Sequence, residues 1–258
     1  MVTWNELPAF ALPALVLYGV GAVLAWRPRR AVSATVWAAC GVVVYAAFVA
    51  AFWVGLQRPP LRTLGETRLW YALFVLLAGL LTHARWRYRW ILLCALVMAA
   101  VFTLLNLLRP EIHDQTLMPA LQSPWFVPHV TVYMFSYAVL GCAFLLALAG
   151  LRGRTERYLV TADSLVYVGV AFLTLGMLSG ALWAKEAWGN YWSWDPKETW
   201  AAVTWAVYLI YIHLRLAGGQ RHLRLACWLL VGGFACLQMC WYGVNYLPAA
   251  QHSLHVYS

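Results

Sequence analysis

Eight long apolar stretches dominate this sequence of 258 residues and restrict what it can fold into. They run over about 7–26, 32–56, 68–84, 90–108, 129–151, 159–184, 198–217 and 225–247. About 20 apolar residues in a helix cross the ~30 Å hydrocarbon core of a bilayer, so each stretch is predicted to be a transmembrane helix. The predicted fold class is all-α, a polytopic membrane bundle of about eight helices in contact with the lipid bilayer.

The charge distribution predicts the orientation of these helices. The chain is 64% hydrophobic and carries a net charge of +9, which in a soluble protein would suggest a nucleic-acid partner. Here 12 of the 18 Lys and Arg residues lie at or beyond the carboxyl ends of the first, third, fifth and seventh stretches, so no nucleic acid is expected and the loops after those stretches are predicted to be cytoplasmic. Both termini then lie outside, and we expect a multi-pass protein of the bacterial inner (plasma) membrane with its active face periplasmic.

The six cysteines limit what the protein can be. All lie in apolar stretches, and none forms a Cys-x-x-Cys pair or a Cys-x-x-Cys-His haem-attachment motif. The chain is therefore not expected to be a c-type cytochrome itself. Its cysteines are interpreted as small buried hydrophobic residues.

A tryptophan-rich segment is the most unusual part of the chain. Residues 188–200 contain four tryptophans between two apolar stretches: Trp188, Trp192, Trp194 and Trp200. One or two of them would be typical of an aromatic belt at headgroup depth. A cluster of this density favours a platform for a flat aromatic ligand. If the segment is helical, Trp188 and Trp192 share a face.

The same segment has the pattern of a helix start. Asp195 is predicted to be the N-cap, Pro196 the first helical residue, and Glu198 a side chain that reaches back as in a capping box. The backbone N–H groups at this start are suited to carboxylates of a ligand.

Trp188-Gly-x-x-Trp192-x-Trp194-Asp195 resembles the tryptophan-rich WWD-type signature of haem-handling proteins. The continuation Pro196-Lys-Glu-Thr-Trp200 is similar to the cytochrome c biogenesis proteins CcsA (ResC). The resemblance extends through the segment around His213 and through Gly243-Val-Asn245 to the C-terminal histidines, over roughly residues 125–258. We therefore expect a single membrane domain, 1–258. In it, residues 1–120 supply spans without a motif and residues 125–258 form a haem-handling core with a tryptophan-rich periplasmic loop at 185–198.

The resemblance implies a set of haem-binding residues. His129 at the start of the fifth stretch and His255 beyond the eighth are expected as axial ligands of haem iron, with His252 as the alternate for His255. Trp188, Trp192, Trp194 and Asp195 are expected to line this site. No catalytic acid or base is expected.

His213 lies far along the seventh stretch, toward the other side of the membrane. Members of the family carry a histidine here, which implies a second, inner haem site whose other ligand comes from a partner. His83 is the weaker option for that inner site. The ordinary explanation for a histidine at position 213 is that it lies close enough to the membrane interface to be hydrated there.

The implied function belongs to System II cytochrome c maturation. Haem b, transported or presented without covalent attachment, would meet the Cys-x-x-Cys-His motif of an apocytochrome c, and a CcsB/ResB-like membrane protein would complete a holocytochrome c synthase (haem lyase). Three alternatives stay open: a haem-delivery chaperone of the CcmC type, a haem exporter without synthase activity, and a structural or quinone-binding membrane subunit.

Overall fold

The computed structural model describes residues 2–113, 123–153, 155–218 and 221–247. These residues form helices and connecting turns, with no β-strand among them. The eight α-helices are α1 (Leu7–Trp26), α2 (Ala31–Leu56), α3 (Leu64–Trp86), α4 (Arg89–Leu108), α5 (Phe126–Arg152), α6 (Thr155–Trp188), α7 (Pro196–Gly218) and α8 (Leu223–Trp241). Each is long and apolar enough to cross a membrane, which confirms the all-α polytopic bundle.

Helix ends differ from the apolar stretches where local hydrogen bonds extend or stop a helix. α3 begins four residues before the predicted 68 because the Thr63 hydroxyl accepts the Glu66 N–H at 3.1 Å. Glu66 is only 2% exposed, and Arg58 neutralises it with two hydrogen bonds of 2.9 and 2.8 Å. α8 ends at Trp241, before the predicted 247, and a 3-10 turn over Gly243–Tyr246 follows.

The chain divides into two compact units, Met1–Pro119 and Ala120–Ser258. The amino-terminal unit contains α1 to α4, in which α1 packs on α2 and α4, and α3 packs on α4 and α2. Large aromatic side chains fill its core, among them Tyr18, Tyr45, Phe48 and Phe52, each at most 1% exposed. That both units act as one membrane domain stays a prediction.

The carboxyl-terminal unit contains α5 to α8, and its most extensive contact is between α5 and α6. Three glycines of α6 make this contact close: Gly169 faces Leu140, Gly176 faces Tyr133 and Gly180 faces His129. A Cβ atom at Gly180 would lie 2.6 Å from the His129 ring. Small residues at such spacing allow two membrane helices to approach through their backbones.

Asp163 of α6 is partly exposed and forms an ion pair with Arg215 of α7, with Nη2 and Oδ2 2.7 Å apart. The Tyr211 hydroxyl also donates to Asp163 Oδ1 at 2.6 Å. Arg215 lies one turn beyond Tyr211 on the same face of α7, so both side chains reach Asp163. These contacts connect α6 to α7.

Candidate functional site

The start of α7 is capped by two acidic side chains. The Lys197 N–H donates to Asp195 Oδ1 at 2.9 Å, and Glu198 Oε2 accepts the Asp195 N–H at 3.1 Å. This reciprocal arrangement confirms the predicted capping box, with Pro196 as the first helical residue. Since Pro196 has no N–H and Asp195 uses that of Lys197, this helix start offers fewer backbone donors to a ligand carboxylate than the sequence suggested.

The segment before α7 is not helical. α6 ends at Trp188, where Gly189 takes a left-handed conformation with φ of 86° and donates its N–H to the Lys185 carbonyl at 3.0 Å. Lys185 Nζ donates back to the Gly189 carbonyl at 2.7 Å. Trp188 and Trp192 therefore do not share a helix face, because glycine readily adopts the conformation that ends the helix between them. The connecting loop is 189–195, shorter than the predicted 185–198.

The tryptophans form two edge-to-face pairs. Trp188 meets Trp183 with ring centroids 4.6 Å apart, and Trp192 meets Trp194 at 5.7 Å. Trp183 is buried, whereas Trp194 is 69% exposed and has a positive φ of 58°. The Trp192 indole nitrogen is buried and has no hydrogen-bond partner among the described residues. A buried indole N–H usually finds an acceptor, so this group is suited to donate to a ligand.

His129, in the first turn of α5, lies against α6. Its Nδ1 is 2.8 Å from the Gly176 carbonyl oxygen, and its ring stacks on Trp183 at 5.4 Å with an interplanar angle of 21°. Tyr133 contacts the ring edge-on at 4.8 Å. Through Trp183, His129 connects to Trp188, so the structure brings two of the expected site residues into one aromatic cluster.

The end of α8 reaches the same cluster. The Cys240 thiol lies 3.4 Å from the Lys197 carbonyl oxygen and 4.0 Å from the Tyr137 hydroxyl. Tyr137 in turn contacts Tyr133 and Trp241 with ring centroids 5.6 and 6.0 Å apart. The first turns of α5 and α7 and the last turns of α6 and α8 thus form one end of the carboxyl-terminal unit.

Sequence reasoning missed the residues that hold His129 in place. Gly176, Gly180, Trp183 and Tyr133 were not singled out. The two glycines have a Gly-x-x-x-Gly spacing in an apolar stretch, which is a known signal for close helix packing. That signal does not say which side chain fills the space.

His213 lies toward the other end of α7, roughly 26 Å along the helix from Pro196 at 1.5 Å per residue. Its ring is exposed, and Nδ1 is 2.8 Å from the Leu209 carbonyl of the same helix. The structure does not bring His213 together with His129. His83 is fully buried in the amino-terminal unit, with no hydrogen-bond partner at either ring nitrogen among the described residues. Its place as the weaker option for the inner site stays a prediction.

The remaining histidines lie away from this cluster in the chain. His222 is exposed at the start of α8. His113 stacks on Trp4 at 3.8 Å, and its Nε2 is 3.0 Å from the Asn106 carbonyl oxygen. His252 and His255 lie outside the described residues.

These features define a class of protein: a polytopic helical membrane protein in which a histidine and several tryptophans meet at one end of a four-helix unit. The sequence model of a family described as Cytochrome C assembly protein matches residues 61–252. The chain belongs to this family. The match begins well before residue 125, so the resemblance covers more of the chain than its motifs indicated.

Several curated relatives of the chain are described as cytochrome c biogenesis protein CcsA, which confirms the resemblance. The relative from Chlamydomonas reinhardtii is 42% identical over 173 residues, which is 62% of this chain and 48% of that protein. The Chlorella vulgaris relative is 35% identical over 253 residues, 78% of this chain and 79% of that protein. The relative from Synechococcus sp. (strain CC9902) is 42% identical over 53% of this chain and 57% of its own length. The chain thus spans about half the length of several relatives it matches.

A solved structure shares the fold. The structure described as Cytochrome c Heme Lyase CcmF aligns with 93% of this chain and 46% of its own, with a TM-score of 0.75 and 18% sequence identity. At this identity the likeness concerns the fold alone.

Proposed function

We propose that this chain handles haem in cytochrome c maturation and presents it at the end of the carboxyl-terminal unit where α5 begins and α6 ends. The observation that carries the proposal is the setting of His129, which is held by the Gly176 carbonyl and stacked on the tryptophan cluster. Membership of the cytochrome c assembly protein family supports it.

The hydrogen bond to Gly176 selects the tautomer of His129. A carbonyl oxygen only accepts, so Nδ1 must carry the proton, and in the neutral ring Nε2 then holds the lone pair. Haem iron is bound by such a nitrogen, and a backbone carbonyl on the opposite nitrogen fixes the ring and raises its basicity. His129 is therefore suited to be an axial ligand.

The tryptophans supply an apolar wall and one polar contact. Trp188, Trp192 and Trp194 would contact the flat ring of haem, and the unpartnered Trp192 indole N–H would donate to one of its carboxylates. Asp195 and Glu198 are occupied in capping α7, so we assign Asp195 a positioning role. It fixes the start of α7 and, with it, the preceding residues Trp192 and Trp194.

The second axial ligand is proposed to be His255, with His252 as the alternate. Leu254-His255-Val256-Tyr257 has the leucine and the tyrosine that flank the histidine in the family motif. His213 is proposed to belong to an inner haem site that a partner completes. Its exposed ring at the far end of α7 is compatible with a ligand shared with another chain.

The cargo is proposed to be haem b, received and presented without a covalent bond to this chain. The chemistry is addition of the two cysteine thiols of a Cys-x-x-Cys-His motif to the haem vinyl groups, which forms thioethers. This chain would orient the haem and exclude water, and an apocytochrome c and a CcsB/ResB-like partner would supply the rest. The proposed location is the bacterial inner membrane, with this site periplasmic.

The test is the visible absorption spectrum of the full chain, purified from membranes of cells that make haem. The wild type is expected to show a Soret band, and His129→Ala is expected to lose most of it. His222→Ala is the matched control, because it removes an exposed histidine distant in the chain from the cluster. Absence of haem from the wild type, or an unchanged spectrum in His129→Ala, would refute the proposal.

A further inference from the structure

Arginine residues gather at one end of the amino-terminal unit, in and beside the turns that connect α1 to α2 and α3 to α4. We refer to them as the arginine surface: Arg27, Arg29, Arg30, Arg85, Arg87 and Arg89. Arg89 is partly buried and the other five are exposed. The two turns lie side by side, because Arg89 Nη1 donates to the Ala25 carbonyl oxygen at the end of α1, at 3.4 Å.

The positive charge of this surface is not balanced by acids of the same unit. The sequence contains no Asp or Glu between Glu6 and Glu66, and none between Glu66 and Glu111. These three acids lie at the opposite ends of the helices: Glu6 before α1, Glu66 in the first turn of α3 and Glu111 after α4. The arginine surface therefore needs a counter-charge from outside the unit.

The arginines of the carboxyl-terminal unit are in a different setting. Glu156, in the first turn of α6, stands between Arg152 and Arg157 in the sequence. Arg215, near the end of α7, is paired with Asp163 at 2.7 Å. The general preference for basic residues in the turns of one side accounts for both groups of arginines. It does not account for the lack of acids in the amino-terminal group.

Some of these charges occupy positions that local physics disfavours. Arg30 and Arg89 stand at the starts of α2 and α4, where the positive end of the helix dipole repels a cation. Neither helix start has a side-chain cap, whereas α3, which starts at the opposite end of the unit, is capped by Thr63. Arg87 has a φ of 62°, in the left-handed region that favours glycine. A bound anion would offset the repulsion at both helix starts.

Exposed apolar side chains border the charges. Trp26 and Val32, which lie on either side of the first turn, are 77% and 70% exposed, and Leu81 is exposed one helical turn before Arg85. The Arg85 guanidinium lies 5.5 Å above the centre of the Trp86 ring. Arginine and tryptophan together at the end of a membrane-spanning helix are typical of headgroup depth. The surface thus combines a cationic rim with apolar sides.

We propose that the arginine surface binds the phosphate groups of anionic phospholipids, in the leaflet that this end of the unit faces. Guanidinium groups form paired hydrogen bonds to phosphate oxygens. The exposed side chains of Trp26 and Val32 contact the acyl chains of the same lipids. A soluble anion would match the charges but not this apolar border. Clusters of four to eight basic residues beside a membrane span are suited to acidic lipids.

Lipid binding to the purified full chain tests the proposal. The protein in a neutral detergent is titrated with phosphatidylglycerol or phosphatidylcholine, and native mass spectrometry counts the bound lipids. The wild type is expected to prefer phosphatidylglycerol. The triple variant Arg29→Gln, Arg30→Gln and Arg87→Gln should bind it roughly 100-fold more weakly, because each basic residue near anionic lipid contributes about fivefold. The corresponding triple lysine variant keeps the charge and should retain most of the binding.

The matched control removes three exposed charges from the other unit, by Arg152→Gln, Arg221→Gln and Arg224→Gln, and should leave phosphatidylglycerol binding unchanged. If the first triple variant does not accumulate, Arg87→Gln replaces it, with an expected loss of about fivefold. Equal binding of both lipids by the wild type overturns the proposal. Equal losses in the glutamine variants of the two units also overturn it, since the attraction would then be general. Displacement of the lipid by an equal concentration of inorganic phosphate would instead indicate a site for a soluble anion and overturn the lipid assignment.

Discussion

Gly180 leaves the space that the His129 ring occupies, since a Cβ atom there would lie 2.6 Å from both Cε1 and Nδ1 of the ring. The glycine is on α6 and the histidine on α5, so the position of the proposed iron ligand depends on the packing of two helices. The Gly176 carbonyl one turn earlier fixes the same ring through Nδ1. Helix packing and ligand orientation are thus coupled at this point.

Gly180→Ala is expected to displace the His129 ring and to lower haem occupancy. The added methyl group meets an imidazole held by a hydrogen bond and by stacking on Trp183, so the ring cannot move without losing one of them. The measurement is the Soret absorbance per mole of purified protein. Gly232→Ala on α8 is the matched control, because among the described residues no atom outside its own stretch of helix lies within 4 Å of the added Cβ. Equal losses in both variants would show that any added methyl group disturbs the bundle.

Trp192→Ala is expected to weaken haem binding while the protein still accumulates in the membrane. Loss of aromatic stacking costs about 1 kcal/mol beyond the buried area, roughly a fivefold change in affinity. Haem titration of the purified variants measures this. Trp194→Ala should weaken haem binding to a similar extent. It should not unfold the protein, because the Trp194 ring is 69% exposed and contributes little to the core.

Trp228→Ala is the control for these variants, since Trp228 is 59% exposed on α8 and lies outside the loop. If it weakens haem binding as much as Trp192→Ala does, the tryptophans act as a general membrane belt.

Asp195→Ala is expected to destabilise the start of α7 by about 1 kcal/mol, the usual cost of removing an N-cap side chain. Asp195→Asn should be milder, because an amide oxygen still accepts the Lys197 N–H. Thermal unfolding of the purified protein gives the order of the two variants. Loss of cytochrome maturation in Asp195→Asn, with stability and haem retained, would show that the carboxylate has a role beyond capping.

Arg58→Met is expected to destabilise the amino-terminal unit by about 3 kcal/mol, because it leaves the Glu66 carboxylate buried without its cation. Arg109→Met is the control: the Arg109–Glu111 pair is exposed, and such pairs contribute about 0–1 kcal/mol. The free energy of unfolding in a mild detergent measures both. The double variant Arg58→Met with Glu66→Leu should recover much of the loss, and failure to recover would show that the pair is not the cause.

The bounds of a single apolar helix and the cap of α7 could be predicted from the sequence, whereas contacts between helices could not. α1 begins and ends at the predicted residues because hydropathy over one span determines it, and the cap of α7 followed from Asp195, Pro196 and Glu198 alone. The end of α6 at Trp188 depends on the conformation of a single glycine. The stacking of His129 on Trp183 depends on the register of α5 against α6, which no local pattern records.

The last prediction concerns the side of the membrane on which the tryptophan loop lies. Twelve of the 18 Lys and Arg residues lie in or beside the connections α1–α2, α3–α4, α5–α6 and α7–α8, which are predicted to be cytoplasmic, so the tryptophan loop between α6 and α7 is expected to face outward. Single cysteines placed at Asn190 and at His222 in a cysteine-free background report this, since both positions are exposed. A membrane-impermeant maleimide should label the first in intact cells and the second only after permeabilisation. Labelling of Cys at position 222 alone in intact cells would reverse the orientation. The proposed haem site would then face the cytoplasm, where it could not serve an apocytochrome on the outer side.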